Sequence, residues 1–220
     1  MSTGVRCWIA AMVALLVAAC ANTREPPSVP SASPVRPVNP ANIKRVGREF
    51  PPGYEVAPAS GIPGPPAIWG LGGGWTADPP RCAALADPAR EPARGIAGSG
   101  AGGIGYALVT AAPAGSVAPD PALVAECPHW IMTSGRATAR VQLIEAPRID
   151  GGQTVGMTAD TSTLVEGENE IASRAITFIA YLGSYYAFTV SVTDPGSPQP
   201  PLPPQSVADL LVKTVAALRS

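Results

Sequence analysis

Twelve consecutive apolar residues, Trp8 to Ala19, run up to a cysteine, and this stretch decides which part of the chain has to fold. Arg6 is the only basic residue before Arg24, and no acidic residue precedes Glu25. A basic start, a short apolar stretch and small residues at its end form the layout of a secretory signal. Crossing a bilayer as a helix takes ~20 apolar residues, and Asn22, Arg24 and Glu25 interrupt the run short of that length. Residues 1–19 are therefore expected to be removed, and the rest of the chain to fold after export.

The end of the signal is more specific. Val17-Ala18-Ala19-Cys20 resembles the bacterial lipobox, an aliphatic residue and two small ones before a cysteine. The resemblance implies that Cys20 receives a diacylglyceryl group and becomes the first residue of the mature protein. Each buried methylene contributes ~0.8 kcal/mol, and two or more acyl chains hold a protein stably on a membrane. Residues 21–40 are rich in proline and serine with no apolar period, the composition of a tether. The organisation expected is a signal at 1–19, a lipidated cysteine and tether at 20–41, and one globular domain at 42–220, a length that suits a single domain.

Export also constrains the cysteines. Cys7 leaves with the signal and Cys20 carries lipid, so Cys82 and Cys127 remain. In an oxidising compartment two leftover cysteines are expected to pair. Closing a loop of about 45 residues stabilises the fold by ~4 kcal/mol on the chain-entropy model. A metal site is not expected: there is no CxxC, and His129 is the one histidine, whereas structural zinc takes four ligands.

The folded part shows strand patterns and short helices. Residues 42–60 read as a strand or short helix, a turn at Pro51-Pro52-Gly53, and a strand. Gly61 to Gly74 reads as an irregular loop that must bury Trp69 and Trp75. Asp78-Pro79-Pro80 predicts a helix to Ala86, with Asp as N-cap and proline at its first position. Asp120-Pro121 predicts another, to Cys127 or through His129-Trp130-Ile131. Strands are expected at 106–111, 138–145 and 154–161, and a hairpin at 175–181 and 185–192 through Gly183-Ser184. The last segment predicts a helix with a Ser206-x-x-Asp209 capping box, burying Leu210, Leu211, Val215 and Leu218 at helical spacing. Six or so strands with meander-like links imply an α+β domain, an antiparallel β-sheet with two or three packed helices and one disulfide.

Charge and motifs remove several function classes. Without residues 1–19 the chain has 14 basic against 16 acidic residues, and Lys44-Arg45 and Arg48 are the nearest approach to a basic run. Nucleic acid is therefore not an expected partner, and a polybasic second membrane signal is not expected either. Gly98-x-Gly100-x-x-Gly103 matches the dinucleotide fingerprint as a string, but the fingerprint needs a strand before it and a helix after it. Here a strand-like segment follows, so a turn entering a strand is the reading and no cofactor is expected. A Ser-His-Asp site would have to use His129, which stands between Pro128 and Trp130 with no Gly-x-Ser-x-Gly elbow elsewhere; no catalytic residue is assigned. Glu166, Glu168 and Glu170 alternate in a polar segment and read as a solvated loop rather than a calcium site.

The aromatic residues are the remaining signal. Trp69, Trp75, Tyr106, Trp130, Tyr181 and Tyr185, with Tyr186, either fill the core of a small sheet domain or line a groove for a ligand. Pockets combine aromatic walls with a few polar groups.

Three segments carry a wider resemblance: Phe50-Pro-Pro-Gly-Tyr-Glu-Val56, the stretch from Trp69 through Trp75-Thr-Ala-Asp-Pro-Pro to Asp87, and Cys127-Pro-His-Trp130. They resemble mycobacterial exported lipoproteins of an uncharacterised domain family, similar in turn to the extracellular sensor domain of mycobacterial receptor Ser/Thr kinases. The resemblance covers most of 42–220. It implies an antiparallel sheet packed with helices, disulfide bonds and a cleft for a ligand. Those sensor domains carry two disulfides, whereas this chain can form one. The expected partners are a membrane, through the lipid anchor, and a small or lipidic ligand or an envelope protein.

Overall fold

A computed structural model describes residues 36–89, 91–114, 118–165 and 169–220. The signal, Cys20, most of the tether, Glu166 and Glu168 lie outside the described residues. Nine strands form one sheet, antiparallel throughout: β1 (Glu55–Ile62), β2 (Thr76–Asp78), β3 (Ala93–Gly100), β4 (Gly103–Ala111), β5 (His129–Ser134), β6 (Ala137–Ile144), β7 (Gln153–Leu164), β8 (Glu170–Tyr181) and β9 (Tyr185–Val192). Their order is β1-β3-β4-β9-β8-β7-β6-β5-β2. The helices are a 3₁₀ helix at Pro40–Glu49, α1 (Pro65–Ile68), a 3₁₀ turn at Pro80–Cys82, α2 (Ala83–Ala86), α3 (Pro121–Glu126) and α4 (Pro204–Leu218). The expected α+β class and antiparallel sheet are what the chain adopts.

Each face of the sheet has its own cover. On one face Trp69, Leu71, Cys82 and Leu85 pack against Met132, Val141, Met157, Ile179, Tyr186 and Phe188. Cys82 and Cys127 are bonded there, Cα atoms 5.7 Å apart, the pairing the sequence predicts. Arg81 and Glu126 form an exposed ion pair beside the disulfide. On the other face α4 and the Pro40–Glu49 helix cover Ile96, Val109, Ile176, Phe178, Ala187 and neighbours. The apolar stripe of α4 is buried as its spacing predicts, with Leu210, Leu211, Val215 and Leu218 all in this core.

Four local expectations differ from the structure. Asp78 does not cap a helix; it ends β2, opposite Ile131 of β5, and its bond to Pro79 is cis. Sheet pairing takes its backbone, and the helical segment starts two residues later. The Ser206 capping box does not form either. Pro203 holds the N-cap position without a side-chain cap and Pro204 opens the helix, where a fixed φ suits the first turn. Asp209 instead accepts from the Gln205 side-chain amide at 2.8 Å. Trp130 and Ile131 are not helical: α3 stops at Glu126, Pro128 interrupts the chain, and His129–Ser134 pairs with β6. Trp130 and Met132 then point into the core while His129, Ile131 and Thr133 face out, the alternation of a half-buried strand.

The fourth difference is the glycine-rich stretch. The turn read at Gly98 to Gly103 is confined to Ala101-Gly102, which leads into β4; Gly98 and Gly100 belong to a strand before it, β3, in a hairpin with β4. Gly98 and Gly100 lack side chains because rings lie on them: a Cβ at Gly98 would sit 2.4 Å from the Phe50 ring, and one at Gly100 2.5 Å from Tyr54. The Phe50-Pro-Pro-Gly-Tyr54 turn is thus packed onto a platform of glycines. Strand β1 forms the sheet edge outside this hairpin and tolerates Pro58, since proline in a sheet is confined to edges and bulges.

Candidate functional site

The aromatic residues divide between the two cores. Trp69, Trp130 and Tyr181 are buried, at 1%, 3% and 4% exposure. The Trp69 indole N–H donates to Thr177 Oγ1 at 2.9 Å, and the Tyr181 and Tyr186 rings meet edge to face at 4.9 Å. Burial, and then the neighbouring Tyr186, push the Tyr181 hydroxyl pKa upward. Trp75 and Tyr106 are partly buried against the same core, whereas Tyr185 packs on the opposite face of the sheet. These six side chains therefore fill two cores and do not converge on one opening.

The concave site lies elsewhere, where cover runs out. The helices pack over β1, β3, β4, β8 and β9; on the same face the outward residues of β2 and β5, Arg140 and Gln142 of β6 and Asp160 of β7 are exposed, whereas Gly156 and Thr158 of β7 are buried. Strand alternation places Thr76 and Asp78, His129, Ile131 and Thr133, Arg140 and Gln142, and Asp160 and Ser162 on that face. Register brings three charges into one rung: Arg140 of β6 lies opposite Asp160 of β7, which lies opposite Arg174 of β8. Around this rung is an open groove of about 380 Å³, lined also by Ser162, Glu170 and Thr193.

The groove carries two arginines, Arg140 and Arg174, and two carboxylates, Asp160 and Glu170. Arg174 approaches Asp160 at 3.4 Å, with both side chains more than half exposed, so the pair contributes little to stability. Thr193 holds the rung from the β9 side: its hydroxyl accepts from Arg174 N–H and its own N–H donates to the Arg174 carbonyl, each at 2.9 Å. The Ser162 hydroxyl donates to Glu170. Arg140 forms no ion pair among the described residues. Its Cα stands two strands from that of Arg174, about 10 Å away by strand spacing, with Asp160 between. Such a surface can hold a polar ligand by charge-assisted hydrogen bonds from two forks. Chain alternation hints at Arg140 and Gln142 facing outward, but the rung depends on register across three strands, which no local pattern reveals.

Two other polar features stand apart from the groove. His129 is exposed at the start of β5. Asp87, after α2 in the disulfide layer, has a buried Oδ1 without a hydrogen bond among the described residues; burial raises its pKa to about 6. Among the described residues, no group of three or more His, Cys, Asp or Glu side chains could hold a metal ion, and no helix is long and apolar enough to cross a membrane.

A family model described as Domain of unknown function (DUF5642) matches residues 39–219. Among solved structures, the X-ray structure of an uncharacterized protein from Mycobacterium smegmatis, an ortholog of Rv0999, aligns with a TM-score of 0.60 at 19% identity. The alignment covers 83% of this chain and 98% of that one. At this identity the likeness concerns the fold alone. Curated proteins yield no match.

Proposed function

The chain belongs to the DUF5642 family, and we propose that it is a membrane-anchored lipoprotein of the cell envelope whose globular domain is a non-enzymatic, sensor-like binder of a polar ligand. The anchor rests on the Val17-Ala18-Ala19-Cys20 lipobox. The observation that carries the binding role is the groove at the Arg140–Asp160–Arg174 rung. Its lining of two arginines, two carboxylates and several hydroxyls favours a polar ligand over a lipid chain, because the aromatic side chains that would hold an acyl chain are packed into the cores. The non-enzymatic reading is supported by His129, an exposed strand residue whose ring makes no hydrogen bond among the described residues; a general base works when a second group orients it.

Thermal-shift and NMR titration of the mature chain with charged and neutral envelope saccharides tests the binding role. At least one saccharide should perturb the amides of β6, β7 and β8 around the rung, and Arg140→Ala should weaken that response at least fivefold. Absence of a response to every saccharide, or an Arg140→Ala response equal to wild type, would overturn it.

A second reading is favoured by the extent of the exposed face. It continues past the groove to Ile131, which is 44% exposed on β5, and an exposed apolar side chain on an uncovered sheet face suits a protein partner. A photo-crosslinker at Ile131 that captures one envelope protein reproducibly, with no saccharide response, would move the assignment to a docking module.

A further inference from the structure

Basic residues scattered along the chain gather where the tether enters the domain. The N–H of Asn39 donates to the Leu218 carbonyl at 2.8 Å, which joins the entry of the domain to the end of α4. Asn42 Nδ2 donates to the Ser220 backbone oxygen at 2.8 Å, and Arg45 Nη1 to the Ser220 hydroxyl at 2.9 Å. Arg219 reaches across to the 147–152 loop, donating to the Gly151 carbonyl at 2.8 Å and to that of Asp150. Arg148, exposed, stands two residues before Asp150 in that loop. Arg36 lies near enough for its charge to act on Arg219: partial burial first, and then Arg36, lower the Arg219 pKa, with the Asp150 carboxylate opposing. Arg36, Arg45, Arg148 and Arg219 thus share one end of the domain with Asp150. The sequence shows no basic run because these four residues come from its beginning, middle and end.

We infer that this cluster docks the domain, by the end at which its tether enters, onto a surface of anionic phospholipid headgroups. The inference rests on the anchoring proposed above. Fifteen residues lie between Cys20 and Arg36, and at ~3.3–3.6 Å per residue the sixteen steps reach about 55 Å at most. An anchor at Cys20 would hold the cluster within that distance of headgroups, at high effective concentration. Attraction between basic clusters and anionic leaflets falls off within a Debye length, ~8–10 Å at physiological salt, so the docked state is the one in which the cluster faces the membrane. Guanidinium groups suit it because their planar fork matches phosphate oxygens.

The test uses the mature chain, residues 20–220, carrying Cys20→Ser so that no lipid is attached. Co-sedimentation is measured with vesicles of phosphatidylcholine alone and with one third phosphatidylglycerol. In 50 mM salt the partition coefficient should be about fivefold or more higher on the anionic vesicles, and should fall to the neutral value in 300 mM salt. The double variant Arg36→Gln, Arg148→Gln should lose most of this preference with an unchanged melting temperature, since neither side chain makes a hydrogen bond among the described residues. Equal partition on the two vesicle types, or an unchanged preference in the double variant, would overturn the inference. Intact mass of the membrane-extracted protein keeps the two readings separate. An unlipidated mass sinks the anchor and leaves the vesicle result standing, whereas a lipidated mass with equal partition sinks the docking surface alone.

Discussion

The indole of Trp69 is hydrogen-bonded to the hydroxyl of Thr177, 2.9 Å away and 108 residues on in the chain, in a site where both residues are buried. Trp69 follows α1 in the segment that covers the disulfide face, and Thr177 lies mid-strand in β8. The bond thereby ties the covering layer to the centre of the sheet.

Removing the acceptor should expose its worth. Thr177→Val keeps the volume but leaves the buried indole N–H without a partner, which costs ~1–3 kcal/mol. Thr177→Ser keeps the hydroxyl and should lie closer to wild type. Urea denaturation measures both; a Thr177→Val protein as stable as wild type would show that the bond contributes nothing net.

The Cys82–Cys127 bridge closes a loop with a sequence separation of 45. The double variant Cys82→Ala, Cys127→Ala should lose ~4 kcal/mol on the chain-entropy model. Its unfolding midpoint should match that of the reduced wild type. Mass spectrometry of the exported protein without reductant should find no free thiol at either position.

Asp87 makes stability depend on pH. Burial raises its folded pKa from the ordinary 3.8 to about 6, so between these values the folded state holds the proton more tightly than the unfolded chain does. Stability should therefore fall as pH rises from about 4 to 6 and stay lower above it. Two pKa units correspond to roughly 3 kcal/mol; the residue is only partly buried, so solvent screening reduces the expected effect to about 1–2 kcal/mol. Asp87→Asn should remove the slope and gain that amount at pH 8. Denaturation midpoints of both proteins at pH 5 and pH 8 decide it, and a wild-type midpoint that rises with pH would contradict the assignment.

The glycine platform gives a contrast between two substitutions of the same kind. Gly98→Ala places a methyl 2.4 Å from the Phe50 ring, and forcing apart a packed contact costs ~1–3 kcal/mol. At Gly73 nothing lies within 4 Å and φ is not positive, so Gly73→Ala should be neutral or slightly stabilising through the unfolded chain. Thermal unfolding of the pair, compared at equal pH, should separate them by several degrees.

Much of this was legible wherever a short stretch of chain decides its own environment. The α4 stripe and strand β6 carry their burial in their own periodicity, the β8–β9 hairpin is marked by two apolar runs around Gly183-Ser184, and the pairing of Cys82 with Cys127 was the one expected once Cys7 and Cys20 were assigned to the signal and the lipobox. The two strands flanking the disulfide region were hidden. Thr76–Asp78 and His129–Ser134 each begin or end at a proline that reads equally well as a helix boundary, and only their mutual pairing makes them strands. Strand β3 was hidden because its glycines, read locally, signal a turn; they are explained by Phe50 and Tyr54, which arrive from 40–50 residues earlier.

What the sequence determined by itself is therefore the class of the domain, an antiparallel sheet with few helices and one disulfide, because apolar periodicity and cysteine count act locally or by elimination. Tertiary structure alone decided where the sites are. The same aromatic residues could have lined a cleft or filled a core, and the sheet faces on which they fall settle the question in favour of two cores. The Arg140–Asp160–Arg174 rung exists because antiparallel register fixes which residues of β6, β7 and β8 stand side by side, and the basic end exists because the close of α4 returns to the entry of the domain. Residue types are local properties, but juxtaposition across strands and between distant segments is set by the assembled sheet.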